Sequence, residues 1–345
     1  MTADELFAQM QINTWGMELE GGTTAGGMTR EQAATLVYEA FREEWPAEYP
    51  RLTLSPPVRE QGDAYILRTS DPLGIFPELK IGFVHDGSIP YPNDIEINSP
   101  VYVWRPEHWS HWSLIVTTLR NHGFKVGTTG AAKRCGIHVH IGSRAFTGQH
   151  VRNLVYMVWS WENYITRALK PSEARYGYML GLHQRRGVYR DIETVGSALV
   201  GAIKKLERHI RGRDIADSEL ADIWYSVYPG GRRDDKYHQS RYHGLNLHSH
   251  WFRHTIEFRW FDATTDRRLQ KADVQLCYAL VLNAVAATRM KADRKTVDES
   301  SAKYDFRVFL LRLGLIGDRF STCRKYLLLN LPGSAAWKHG EGVTP

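Results

Sequence analysis

The chain has 345 residues, 43% of them hydrophobic, with 11 Trp, 17 Tyr and a net charge of +6. That is ample apolar material for a packed interior and excludes a disordered polyelectrolyte, while the lack of any run of about 18 apolar residues excludes a membrane-spanning helix. The three cysteines (Cys135, Cys277 and Cys323) lie far apart with no CxxC pair, which argues against a disulfide framework or thiolate zinc site and fits a reducing cytoplasm.

From the N-terminus, MTADELFAQMQINTWG lacks the basic-then-apolar layout of a signal peptide, in keeping with a cytoplasmic protein. Residues 11–20 alternate and run into a Gly-Gly pair, the pattern of a strand closing at a turn. Thr29 and Gln32 form a capping box ahead of QAATLVYEAFREEW, which predicts a helix to about Trp45. The Pro-rich stretch from Pro46 to Pro57 reads as a loop. DAYILRT (63–69) and ELKIGFVHDGS (78–88) read as a pair of strands, and DIEIN as a short strand between Pro90 and Pro100. Pro106 suits the first residue of a helix ending at Gly123. RCGIHVHIG (134–142) alternates strictly and predicts a strand, followed by a long helix from Thr147 to Lys170 that Pro171 stops.

Arg185, Arg186 and Arg190 are the densest basic group. They are too few for a nucleic-acid arm, and the dispersed positive excess suits anionic nucleotides and carboxylates drawn into a cleft. Residues 193–211 form an amphipathic, basic helix, and Asp217 caps another. LNLHSH (245–250) and HTIEFRWFD (254–262) read as strands joined by a tight turn, and 266–290 as an apolar helix. A polar linker and two helical pieces (305–314 and 321–330) follow. Strands and helices intersperse without βαβ alternation, which predicts an α+β fold on an antiparallel sheet.

Four strand-like segments carry acidic or imidazole groups. Glu18 and Glu20, two residues apart on a strand, face the same way, with Trp15, Met17 and Leu19 on the other side. Adjacent carboxylates repel unless neutralised, and hard oxygen ligands suit Mg²⁺ or Mn²⁺; an exposed edge pair in water is the plainer alternative. His138 and His140 repeat the spacing, where satisfied structural histidines are the alternative. Glu257 and Arg259 project opposite Ile256, Phe258 and Trp260, as an ion pair or as part of a polar cleft. Asp86 sits in an Asp-Gly-Ser turn, and Glu96 lies between Ile95 and Ile97, a half-buried place that is costly for an unpaired carboxylate. Each signal is weak alone. Four such segments in one chain are hard to reach by chance.

These segments resemble the amidoligase family, distant relatives of glutamine synthetase and glutamate–cysteine ligase. The matching pieces are GMELE, HDGS followed by EINSP, CGIHVHIG, and RYHGLNL followed by TIEFRWFDATTD, in the family's order over roughly residues 12–290. The resemblance implies a curved antiparallel sheet forming a glutamine synthetase-like half-open funnel, with helices on its outer face. It implies one catalytic domain over 1–290 and a C-terminal helical extension over 291–345. ATP and Mg²⁺ (or Mn²⁺) are the implied cofactors, with Glu18, Glu20, Glu96, His138 and Glu257 as metal ligands.

Carried over in the same way, Arg259 would hold phosphate, His140 would lie near the nucleotide, and Arg241 and Asn246 would contact substrate or phosphate. Glu20, Asp86, Glu257 and Arg259 form the implied catalytic set, with Asp86 taking a proton from the amine. The segment before CGIHVH, Ala131-Ala132-Lys133-Arg134, is more basic than the small polar residues expected there. The expected reaction joins a small-molecule or peptide carboxylate to an amine through an acyl phosphate. No GxxxxGK[ST] loop occurs, so a nucleotide must be held by metals and sheet residues. A metal-dependent hydrolase using HxH and the carboxylates, a phosphotransferase on the same site and a degenerate basic binding protein remain as alternatives.

Overall fold

Alternation along Thr14–Thr23 organises the molecule: Trp15, Met17 and Leu19 are buried on one side of this strand, β1, and Glu18 and Glu20 stand on the other. The computed structural model describes residues 1–127, 135–176, 179, 181–182, 194–227 and 231–338. The other described strands are β2 (Leu54–Glu60), β3 (Ala64–Thr69), β4 (Leu79–Val84), β5 (Asn93–Asn98), β6 (Tyr102–Val103), β7 (Gly136–Gly142), β8 (Leu245–Asn246) and β9 (Thr255–Asp262). They form one open sheet in the order β2-β3-β4-β5-β1-β7-β9-β8, with β6 also paired to β1. Every pairing is antiparallel. The sequence expectation of an α+β antiparallel sheet is met.

The helices are α1 (Ala3–Met10), α2 (Arg30–Glu43), α3 (Pro106–Asn121), α4 (Gly148–Leu169), α5 (Thr194–His209), α6 (Asp217–Ser226), α7 (His248–Arg253), α8 (Arg267–Ala286), α9 (Ala302–Arg312) and α10 (Ser321–Leu327). Helix α2 packs across β2 to β5, while α8 and α4 pack behind β7 and β9. Their apolar stripes and the Ile, Val, Leu and Phe residues of the inward sheet face share one core. Phe306, Phe309, Leu310 and Phe320 of the C-terminal segment belong to that core, with Phe309 stacked on Trp161 of α4 at 4.1 Å. No described helix is long and apolar enough to cross a membrane.

Four local expectations change. Strand β2 begins inside the predicted loop. It lies at the sheet edge, and its ladder with β3 shifts register between Ser55 and Val58, where Pro56 and Pro57 lack N–H donors. LNLHSH is mostly not strand: β8 lasts two residues, and His248–Arg253 forms α7. Tertiary partners impose that helical turn, because His248 bonds Tyr225, and His250 bonds Ser143 and Asp217. Asp217 starts α6 as its first residue and does not cap it; its carboxylate instead accepts from His250 and Trp251. Helix α1 was missed, although Thr2 and Glu5 form its capping box. The Ala131–Arg134 segment, the Arg185, Arg186 and Arg190 group and residue 193 lie outside the described residues.

Candidate active site

Strand register assembles the site. Across β5 and β1, Glu96 lies opposite Glu20 and Asn98 opposite Glu18. Across β1 and β7, Glu18 faces His138. Across β7 and β9, His140 faces Glu257, which faces Asn246 of β8. Five neighbouring strands thus contribute one polar row on the face away from α2, α4 and α8. The distant motifs do meet.

Within this row the donors form two groups. Ligand atoms of Glu18, His138 and Glu257 lie within 4.8 Å of one another, and so do those of Glu20, Asp86 and Glu96. The His138 ring stands between them: its Nδ1 is 2.9 Å from Glu18 and 3.7 Å from Glu257, and its Nε2 is 3.4 Å from Glu20. Glu257 is held at both oxygens, by Arg259 at 2.6 Å and by the Asn246 amide at 2.6 Å. Glu20 accepts the Gly136 N–H at 2.6 Å and the Arg175 guanidinium at 3.4 Å.

The row opens into a cleft of about 630 Å³. Glu18, Asp86, Glu96 and Glu257 line it, and Lys236, Arg241 and Arg253 add cations on the side of β8 and α7. The carboxylates are buried or half-buried, whereas Lys236 and Arg253 are exposed. Arg259, placed in the phosphate site by sequence reasoning, is 4% exposed and points its guanidinium at Glu257. His140 lies beside Glu18, with Nε2 3.4 Å from its Oε1.

Charge crowding shows in the ionisation of these groups. Glu96 is held well above the usual carboxylate range, by burial first and then by Glu18, Glu20 and Asp86. Burial would raise Glu257 too, but Arg259, then His140 and His138, outweigh it and bring it to about 2. Glu18 follows the same logic: burial opposes ionisation, yet His140 and His138 hold it well below the ordinary value. Asp86 is lowered despite burial, because the Ser88 N–H donates to it at 2.7 Å.

These residues fit divalent cations. The donors are hard oxygens plus an imidazole, and His138 Nε2, between the two groups, is buried without a hydrogen bond. Because Glu96 is raised, the stability it contributes is complete below the ordinary glutamate value of about 4.3 and is lost as pH climbs through its folded value. A bound cation relieves the repulsion. The stabilisation by added Mg²⁺, read as a rise in Tm, should therefore grow with pH, and it amounts to about 2.7 kcal/mol when the cation stands at about 100 times its Kd. Thermal shifts that stay constant from about pH 5 to about pH 8 would detach Glu96 from the cation site.

Sequence reasoning missed Arg175, Arg253 and Lys236. Arg175 is 1% exposed and reaches Glu20 from a short 3-10 turn (Glu173–Arg175); nothing local in PSEAR marks it. Arg253 approaches Glu18 at 3.6 Å from the end of the unforeseen α7. Another constellation looks catalytic and is not. Ser143, His250 and Asp217 line up with contacts of 2.7 and 3.1 Å, but Ser143 is fully buried, so its hydroxyl meets no substrate. The trio ties α7 to α6 and to the end of β7.

A family model described as "Putative amidoligase enzyme" matches residues 11–185 and 200–281. No curated protein matches the chain. Among solved structures, a bifunctional glutathione synthetase from Pasteurella multocida is similar at 10% identity and a TM-score of 0.39, with 94% of this chain and 48% of that chain covered. This chain thus spans about half the length of that protein, and the likeness is too distant to bear on function.

Proposed function

Because this chain belongs to the amidoligase family, we propose that it is an ATP- and Mg²⁺-dependent ligase joining a carboxylate to an amine. The observation that supports this most is the pair of acidic donor groups sharing one strand face below a wall of three cations. A site for a small neutral substrate needs no such charge, whereas a triphosphate neutralised by cations needs both halves. The finer architecture we assign to the sheet is the glutamine synthetase-like funnel.

The reaction then runs in two steps. A carboxylate oxygen of the substrate attacks the terminal phosphorus of ATP, releasing ADP and leaving an acyl phosphate. The amine attacks the acyl carbon, phosphate departs with its bonding pair, and one proton leaves the nitrogen. Bound cations would supply neutralisation of the transferring phosphoryl group. Glu18, His138 and Glu257 would hold one, and Glu20 and Glu96 another, with Asp86 beside them as the acceptor of the amine proton. Lys236, Arg241 and Arg253 draw the polyphosphate in, while Arg259 and Asn246 fix Glu257 and Arg175 fixes Glu20.

Hydroxylamine tests the scheme, because it intercepts an acyl phosphate as a hydroxamate. Incubating the protein with ATP, Mg²⁺, hydroxylamine and a panel of amino acids and short peptides should yield a hydroxamate and ADP in equal amounts for at least one carboxylate. Product formed equally well without ATP would point to the metal-dependent hydrolase instead. ADP formed with a phosphorylated product and no hydroxamate would point to a phosphotransferase.

A further inference from the structure

Glu257 dictates which way the Asn246 amide is turned. One oxygen of Glu257 takes the Arg259 guanidinium at 2.6 Å, so the group is a carboxylate and only accepts hydrogen bonds. Asn246 meets the other oxygen at 2.6 Å, and only its NH₂ can make that contact. The amide oxygen is thereby left over. It is buried, it has no hydrogen-bond partner, and its residue, 2% exposed, lines the cleft. A buried acceptor of this kind calls for a donor from the ligand.

The surroundings narrow that donor. Lys236 and Arg241 precede β8 and Arg253 ends α7, at the Asn246 end of the strand row, whereas Glu96 lies on β5 and Asp86 in the turn before it, with β1, β7 and β9 between, so an anionic phosphate chain is drawn to the Asn246 side. Phosphate oxygens are themselves acceptors and cannot satisfy Oδ1. The donors of a nucleotide nearest its phosphates are the ribose hydroxyls. Two exposed aromatic rings line the same cleft: Tyr237 at 64%, with Lys236 and Arg241 each 5.2 Å from its centroid, and Phe252 at 37%, stacked on His248 at 5.4 Å, so a base bound there joins an aromatic and cationic stack.

We propose that the Asn246 side of the cleft is the nucleoside subsite and that Asn246 Oδ1 accepts a hydrogen bond from a ribose hydroxyl, so that the protein separates ribonucleotides from their deoxy analogues. The inference rests on the ligase reading, and one titration series distinguishes the two. Calorimetry of the full chain with Mg²⁺ compares ATP, 2′-deoxy-ATP and 3′-deoxy-ATP. One deoxy analogue should bind about 10-fold or more weakly than ATP.

In Asn246→Leu that ratio should fall to about one. A wild type that binds all three nucleotides equally overturns the hydroxyl contact and leaves the ligase reading standing. A wild type that binds no nucleotide overturns both. Undiminished discrimination in Asn246→Leu assigns the contact to another residue and rejects the inference. The wild-type comparison decides the matter even if the variant does not fold.

Discussion

Glu257→Gln should lower kcat by about a thousand-fold, on the scale of removing a principal electrostatic element from an active site. Glutamine has nearly the same volume and keeps one carbonyl oxygen for Arg259 or for Asn246. What disappears is a negative charge facing Glu18 and His138 within 4.8 Å. Two consequences follow that do not depend on knowing the substrate. Mn²⁺ binding measured by calorimetry should weaken, because one group of three donors becomes two charged or imidazole donors and an amide. Stability should also fall, since Arg259, 4% exposed, loses the carboxylate charge it meets at 2.6 Å; breaking a buried pair costs about 3–5 kcal/mol. Glu20→Gln should lower turnover comparably through the other group. Wild-type kcat in both variants would take these carboxylates out of the chemistry and remove the main support for the ligase reading.

Much of this site was legible because strand geometry is simple. Side chains two apart share a face, so Glu18 with Glu20 and His138 with His140 could be oriented from the sequence alone. The family resemblance then supplied their order, and the sheet brings Glu18, Glu20, Glu96, His138 and Glu257 into one row. Asp86 reads in the sequence as a turn residue and, by the resemblance, as the acceptor of the amine proton. The structure keeps it in the turn and sets its carboxylate against Glu20 and Glu96.

What stayed hidden depends on long-range partners. Alternation suggested that Trp260 simply shares a face with Phe258. The two rings do lie together, fully buried with centroids 5.3 Å apart, but the ladder shifts register between Ile137 and Val139, leaving both Arg259 and Trp260 opposite His138. No local pattern announces such a bulge. Helix α7 is similar: its sequence alternates like a strand, and only contacts with Tyr225, Ser143 and Asp217 select the helical turn that carries Arg253 to Glu18. Arg175 belongs to the same class, since its partners lie 155 and 84 residues away.

Arg175 also sets the second large effect. Gly136→Ala should cost stability heavily and weaken the cation binding proposed at Glu20, although the substitution adds one methyl group. A Cβ at position 136 would meet the Arg175 guanidinium at 2.1 to 2.2 Å, well inside contact distance. A flexible arginine on the surface would swing aside, but this one is buried and tethered to Glu20 and to the Arg259 carbonyl. Moving it strands a buried charge at about 3–5 kcal/mol and adds overpacking of about 1–3 kcal/mol. Because both residues act through one contact, Gly136→Ala should cost far less in an Arg175→Ala background, which a double-mutant cycle in urea measures. Gly201→Ala supplies the contrast: at this exposed position of α5 a Cβ meets nothing within 4 Å, so helix propensity alone should raise stability by about 1 kcal/mol. Strict additivity of Gly136→Ala and Arg175→Ala would show that the guanidinium does not fill the space beside Gly136.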